Sequence, residues 1–175
     1  MESPKTEKKP IHVTIIGAGK YGMALASVMQ DNPKMDIHIR FYLRNQEKCD
    51  EFTSNRSVAS VTSLIKFDSR HTATTSVSEA VKGADFIFLC IPAQTLSEFF
   101  KSNSQHFEEP SIFVNCAKGM SILEKKFISQ IFAEQFPSRC HKYTVLSGPS
   151  FADEIFKKMP TVVTIAGSSP ESLDK

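Results

Sequence analysis

At 175 residues and 41% hydrophobic content, the chain is one domain's worth of polypeptide, able to bury roughly 70% of its unfolded surface and to fold without staples. Its 21 Lys and Arg against 19 Asp and Glu give a formal net charge of +2 with no concentrated basic block, which argues against nucleic acid as a partner. No stretch reaches the ~18 apolar residues of a membrane span, and the opening MESPKTEKKP lacks the apolar core of a secretory signal.

In chain order, residues 1–10 read as a disordered tail and 11–175 as one dinucleotide-type domain. Apolar runs of strand length alternate with longer helical patterns: strands at 11–16, 37–43, weakly at 72–75, then 85–91, 112–116, 143–146 and 161–166. That alternation predicts an α/β fold, a Rossmann-like, doubly wound and mainly parallel sheet with helices on both faces. Several strands are apolar almost throughout, as strands covered on both faces must be. Ser76–Glu79, Thr95–Glu98 and Ser121–Glu124 each match the capping box of a helix start, with Gly83 and Pro137 as stops. Over 121–136, Leu123, Phe127, Ile128, Ile131 and Phe132 recur at helical spacing and predict one apolar face laid on the sheet as core. Residues 53–70 give mixed signals and read as a helix end followed by an irregular connection. At the far end, a Ser168 cap and Pro170 open a further helix of little length, so the chain is expected to be the N-terminal part of a longer protein.

Gly17-Ala18-Gly19-Lys20-Tyr21-Gly22 follows a strand directly and opens a helix. In that context the first glycine permits a tight turn, the second lets a pyrophosphate approach the backbone, and the third lets helix and strand pack closely. The free N–H groups of the helix start then hold the anion. The competing reading is a glycine-rich turn with no ligand. About 20 residues on, where an NAD-selective site places a carboxylate, the chain reads Tyr42-Leu43-Arg44-Asn45. A guanidinium there can pair with a 2′-phosphate or stack on adenine, so the cofactor is NADP or NAD with NADP favoured, against the reading that Arg44 only caps a surface turn.

Ligands of open α/β sheets lie beyond the carboxyl ends of the strands. On that rim stand GAGKYG, IPAQ (91–94), AKGM (117–120) and SGPSFADE (147–154). Pro92, in the second, joins the cofactor-binding set. Lys118, between a buried strand and Gly119, can meet a phosphate or polarise a carbonyl, or be an ordinary solvated lysine. Gly148 to Ala152 reads as a second strand-to-helix turn with Ser150 as its N-cap. Asp153 and Glu154, in the first turn of that helix, suit its dipole. The four cysteines, Cys49, Cys90, Cys116 and Cys140, contain no C-x-x-C pair and read as reduced thiols of a cytoplasmic protein. The five histidines show no metal-ligand spacing, so no metal is expected.

GAGKYGMALA, LRN, IPAQ, AKGM and LSGPSFADEI with its following PT occur in the order and spacing of one family. The chain resembles the cofactor-binding half of NAD(P)-dependent glycerol-3-phosphate dehydrogenase over residues 11–167. The resemblance implies hydride transfer between NAD(P)H and dihydroxyacetone phosphate to give sn-glycerol 3-phosphate. By motif, Lys20, Tyr21 and Arg44 would contact the dinucleotide and Ala152 would line its site. Lys118 would reach both cofactor and substrate in a catalytic role, and Gly148 and Ser150 would hold substrate. Tyr21 stands where the bacterial branch commonly has Trp. The family's catalytic lysine lies in a helical second domain with no matching segment here, so negligible turnover is expected of these residues alone, and a homodimer is left open for a full-length protein. The alternatives are a non-catalytic dinucleotide-binding or sensing module and a hydroxyacyl-CoA-type dehydrogenase. The latter's His–Glu pair has no histidine on the rim to supply it.

Overall fold

The computed structural model describes residues 9–62, 64–107 and 110–174, so most of the expected tail lies outside the described residues. In chain order the elements are β1 (Ile11–Ile16), α1 (Lys20–Gln30), β2 (Ile37–Tyr42), α2 (Gln46–Asn55), β3 (Thr72–Thr74), α3 (Val77–Val81), β4 (Phe86–Leu89), α4 (Ala93–Asn103) and β5 (Ile112–Asn115). There follow β6 (Met120–Ser121), β7 (Lys126–Phe127), α5 (Ile128–Gln135), β8 (Tyr143–Ser147), α6 (Ala152–Phe156), β9 (Thr164–Gly167) and α7 (Pro170–Leu173). Short 3₁₀ turns occupy Ser104–His106 and Pro137–Lys142.

The principal sheet runs β3-β2-β1-β4-β5-β8-β9. Every pairing in it is parallel except the last, where β9 runs antiparallel to β8. Strand order reverses between β1 and β4, which opens a crevice at their carboxyl ends. Alternate residues of each strand feed opposite layers, as the period of two requires. Ile15, Ile39 and Phe41 pack with α1, α2 and α6 on one face. Ile16, Ile87, Leu89 and Phe113 pack with α3, α4 and α5 on the other. The sheet is thus wound on both faces, as the alternation of elements predicts.

Three local expectations are corrected. Residues 121–127 are not the start of a helix but a hairpin, β6 and β7, and α5 begins only at Ile128. The Ser121 hydroxyl does accept the Glu124 N–H at 3.2 Å. The Glu124 carboxylate, however, turns away to the Ser97 hydroxyl at 2.7 Å and the Lys101 ammonium at 3.2 Å, and Lys125 takes a left-handed φ of 54° that no helix accommodates. Ile128, Ile131 and Phe132 form the buried face as expected, with the Phe132 ring 4.8 Å from that of Phe113, whereas Leu123 and Phe127 are exposed. The capping box at Thr95 lies inside α4, which starts two residues earlier with Pro92 at the cap, and the Thr95 hydroxyl donates to the Pro92 carbonyl at 2.8 Å. The cap of α7 is Ser169 rather than Ser168, without a side-chain bond. At Ser76 the hydroxyl accepts the Glu79 N–H at 3.3 Å, as a cap should. Within 53–70, α2 ends at a left-handed Arg56 and irregular chain follows; residue 63 lies outside the described residues.

His71 joins the β2 edge to this irregular stretch. Its ring is fully buried, with Nδ1 accepting the Ile39 N–H at 3.1 Å and Nε2 3.5 Å from Asp68. Burial pushes its pKa below the ordinary 6.5, and the neighbouring Asp68 carboxylate offsets this only in part. The unfolded chain therefore takes up this proton first. The contribution is intact above about pH 6.5 and is lost as pH falls below that value, with a slope of at most about 1.4 kcal/mol per pH unit. The urea midpoint is expected to drop between pH 7.5 and 5.5 and to drop less in His71→Gln; equal losses in the two proteins would contradict the assignment.

Candidate functional site

The glycine turn closes the carboxyl end of β1. Gly17 takes φ +94°, and a Cβ there would lie 2.6 Å from the Ile91 side chain and 2.9 Å from the Cys90 carbonyl oxygen. A Cβ on Gly22 would lie 2.5 Å from the Gly17 carbonyl oxygen and 3.0 Å from the Ile15 side chain. Both glycines are therefore demanded by the protein itself. Gly19 is different: it caps α1 with φ −78° and ψ −174°, and a Cβ there would meet nothing within 4 Å. No side chain caps α1 and its first turn carries no acidic residue, which leaves the amides and positive dipole end of an eleven-residue helix facing open space.

The other three loops are joined to this one and to each other. The Ile91 and Cys90 contacts seat the IPAQ loop on Gly17, with Pro92 exposed at the cap of α4. The Gln94 amide then spans to the third loop, donating to the Met120 carbonyl at 2.8 Å and accepting the Ile122 N–H at 2.9 Å. In that third loop the buried Asn115 accepts the Ala117 N–H at 3.0 Å, Gly119 takes φ +93°, and the exposed Lys118 places its ammonium 5.9 Å from the centre of the Phe151 ring. Phe151 belongs to the fourth loop. That loop returns to the glycine turn through two side-chain contacts. The Tyr21 and Ser150 hydroxyls share a hydrogen bond of 2.8 Å, and Lys20 pairs with Asp153 at 2.8 Å. Burial raises the Tyr21 phenol above its ordinary pKa, and the hydrogen bond with Ser150 opposes this. Four turns separated in sequence thus form one ring along the carboxyl edge of the sheet, with Gly17, Gly19, Lys20, Tyr21, Gly22, Pro92, Lys118, Gly148, Ser150 and Ala152 all on it. A cavity of about 400 Å³ opens beside Lys118 between the ends of β5 and β8.

Arg44 stands one strand over, beyond β2, whose Tyr42 carbonyl accepts the Gly17 N–H at 3.3 Å. Its side chain is exposed and makes no hydrogen bond or ion pair among the described residues. Ser150 is not the N-cap of α6; Phe151 holds that position, and the Ser150 hydroxyl, 4% exposed, is engaged by Tyr21. Gly148 is required where it stands, because a Cβ would fall 2.6 Å from the Val162 carbonyl oxygen. Gln94 and Asp153, which tie loops together, and Asn115, which folds the third loop on itself, carry no such roles in the local pattern. Only the position of Asp153 in a first helical turn could have drawn notice, and there the dipole explains it equally well.

The chain matches the family described as "NAD-dependent glycerol-3-phosphate dehydrogenase N-terminus" over residues 12–173. It belongs to that family. It is 30% identical over 165 residues to the glycerol-3-phosphate dehydrogenase [NAD(P)+] of Carboxydothermus hydrogenoformans, covering 94% of this chain and 48% of the relative. With the chloroplastic glycerol-3-phosphate dehydrogenase [NAD(+)] of rice it shares 31% over 154 residues, 88% of this chain and 35% of the relative. The chain thus spans half or less of the length of these curated relatives. Among solved structures, the glycerol-3-phosphate dehydrogenases of Plasmodium falciparum (TM-score 0.82, 18% identity, 94% of this chain and 48% of that one) and Coxiella burnetii (0.80, 18%, 94% and 49%) share its fold.

Proposed function

We propose that the chain is the dinucleotide-binding half of an NAD(P)-dependent glycerol-3-phosphate dehydrogenase, taking dihydroxyacetone phosphate to sn-glycerol 3-phosphate when complete. The observation that carries the reading is the uncapped start of α1 at Gly19, open to a ligand and ringed by three further loops. Those residues fit a dinucleotide: backbone amides at 19–22 would hold the pyrophosphate, and Tyr21, Pro92 and Ala152 would line its path. Lys20, held by Asp153 in an exposed pair that contributes little to stability, is free to turn to a phosphate. A bound nicotinamide supplies the hydride. Lys118 presents an ammonium beside the cavity at β5 and β8, where it would attract a phosphorylated substrate and stabilise a developing alkoxide. Gly148 shapes the turn whose backbone would face that substrate. Ser150, through Tyr21, positions this turn against the glycine loop. Support for the family-wide chemistry comes from the curated relatives, which carry the dehydrogenase name over their full length. A cytoplasmic location and a homodimer of the complete protein belong to the same reading. No helix among the described residues is long and apolar enough to cross a membrane.

The test is direct. Titration of this chain with NADH and NADPH should show binding, and addition of dihydroxyacetone phosphate should bring negligible oxidation of the reduced cofactor, because the family resemblance places the general acid–base lysine, worth typically 10²–10⁴ in rate, outside these residues. The free guanidinium of Arg44 favours the 2′-phosphate, so Arg44→Ala should weaken NADPH about tenfold while leaving NADH within twofold. An unchanged preference would remove the argument for NADP.

A further inference from the structure

Cys90 and Cys116 each follow their strand directly, and the last paired residues before them, Leu89 of β4 and Asn115 of β5, are register partners. The Cys116 N–H donates to the Leu89 carbonyl at 3.1 Å, so the two strand ends remain in step at this level. Neighbouring strands lie about 4.8 Å apart, inside the roughly 4.4–6.8 Å Cα separation that a disulfide spans. Both side chains face the same layer, where Cys116 packs with Val114 and Leu146 and Cys90 lies against that cluster. Cys90 is partly exposed and Cys116 is buried; both are free thiols in this structure. The pair sits directly beneath the glycine turn. The Cys90 carbonyl oxygen bounds the space at Gly17, and its Cβ lies 3.3 Å from where a Cβ of Gly22 would stand. The Tyr21 ring packs on the same cluster.

We propose that Cys90 and Cys116 form a redox-modification site, a dithiol that a hydroperoxide closes into a disulfide, and that closure disturbs the glycine turn and weakens the dinucleotide binding proposed above. The Cys90 thiol loses its proton, and its sulfur takes oxygen from hydrogen peroxide as the O–O bond breaks, the proton and the departing hydroxide leaving as water and the sulfur remaining as a sulfenic acid. The Cys116 thiol then attacks that sulfur. The S–S bond forms, the S–O bond breaks and a second water leaves. Two thiols are oxidised and one peroxide is reduced. The hydrogen bond with Cys116, together with burial, pushes the Cys90 thiol well up, so the first step is slow near neutrality and quickens with pH. Drawing the two sulfurs into bonding distance pulls Cys90 toward β5 and away from β1, withdrawing the atoms against which Gly17 and Gly22 pack, which gives the coupling its path.

The experiment treats the 175-residue protein with hydrogen peroxide at pH 8.5, then follows intact mass, disulfide-mapped peptides, amide exchange over residues 17–22 and NADH affinity. Expected are the loss of two hydrogens, a Cys90–Cys116 peptide, faster exchange in the glycine turn and about tenfold weaker NADH binding, all reversed by a dithiol reductant. Cys116→Ser should bind NADH like the untreated parent and form no bridge. Absence of the linked peptide, a bridge involving Cys49 or Cys140 instead, or a bridge that leaves exchange over 17–22 unchanged would each overturn the proposal. Failure of the reduced protein to bind NADH would count against the dinucleotide reading alone, since mapping and exchange decide the modification without it.

Discussion

Gly22→Ala should destabilise the protein by about 3 kcal/mol, while Gly19→Ala leaves stability within about 1 kcal/mol and weakens dinucleotide binding by a factor of ten or more. The two substitutions add the same methyl group to the same turn. At Gly22 it would lie 2.5 Å from the Gly17 carbonyl oxygen, a backbone atom that cannot move aside without unseating β1 from α1. At Gly19 it would meet nothing within 4 Å, and a φ of −78° suits alanine. On the proposed reading, the space left open at Gly19, at the start of a helix with no side-chain cap, would admit a ligand that comes close to the backbone. Urea unfolding and NADH titration of both variants separate the two effects. A turn that serves only to connect β1 to α1 would give Gly19→Ala with unchanged binding.

Lys118→Met, made in a protein that also carries the second half present in the relatives, should lower kcat/KM for dihydroxyacetone phosphate by about 10²–10³. Dinucleotide affinity should stay within a few-fold, because the glycine turn and Arg44 are untouched. The argument rests on placement. Asn115 and Gly119 fix the loop, Phe151 lies under the ammonium, and the cavity between β5 and β8 opens beside it. The methionine keeps the length of the side chain and removes its charge, so a large fall with the fold intact assigns the loss to charge. A pure nucleotide sensor would lose little, and that result would favour the non-catalytic reading of the rim.

Much of this was legible in the residues because strands buried on both faces must be apolar, and because the glycine fingerprint reflects steric demands that hold wherever a strand turns into a helix. Gly17 and Gly22 illustrate this directly. The hairpin at 120–127 was hidden for the opposite reason. Its apolar residues recur at helical spacing, and the local box from Ser121 to Glu124 half forms. What decides the outcome is Glu124 reaching Ser97 and Lys101, 27 and 23 residues away. Periodicity carries no information about such a partner. The cap that the local pattern predicts at Ser150 fails for the same reason, since the hydrogen bond of Ser150 with Tyr21 spans 129 residues. The ties at Gln94 and between Lys20 and Asp153 are likewise tertiary. They turn four recognisable loops into one ring.

That convergence is best tested by amide chemical-shift changes in the labelled protein as NADPH is added. The ring predicts that perturbed residues cluster at 17–22, 42–45, 91–94, 117–119 and 148–152, with little change at the opposite edge of the sheet around 82–85 and 110–112. Changes centred on that opposite edge, or none at saturating cofactor, would contradict the account.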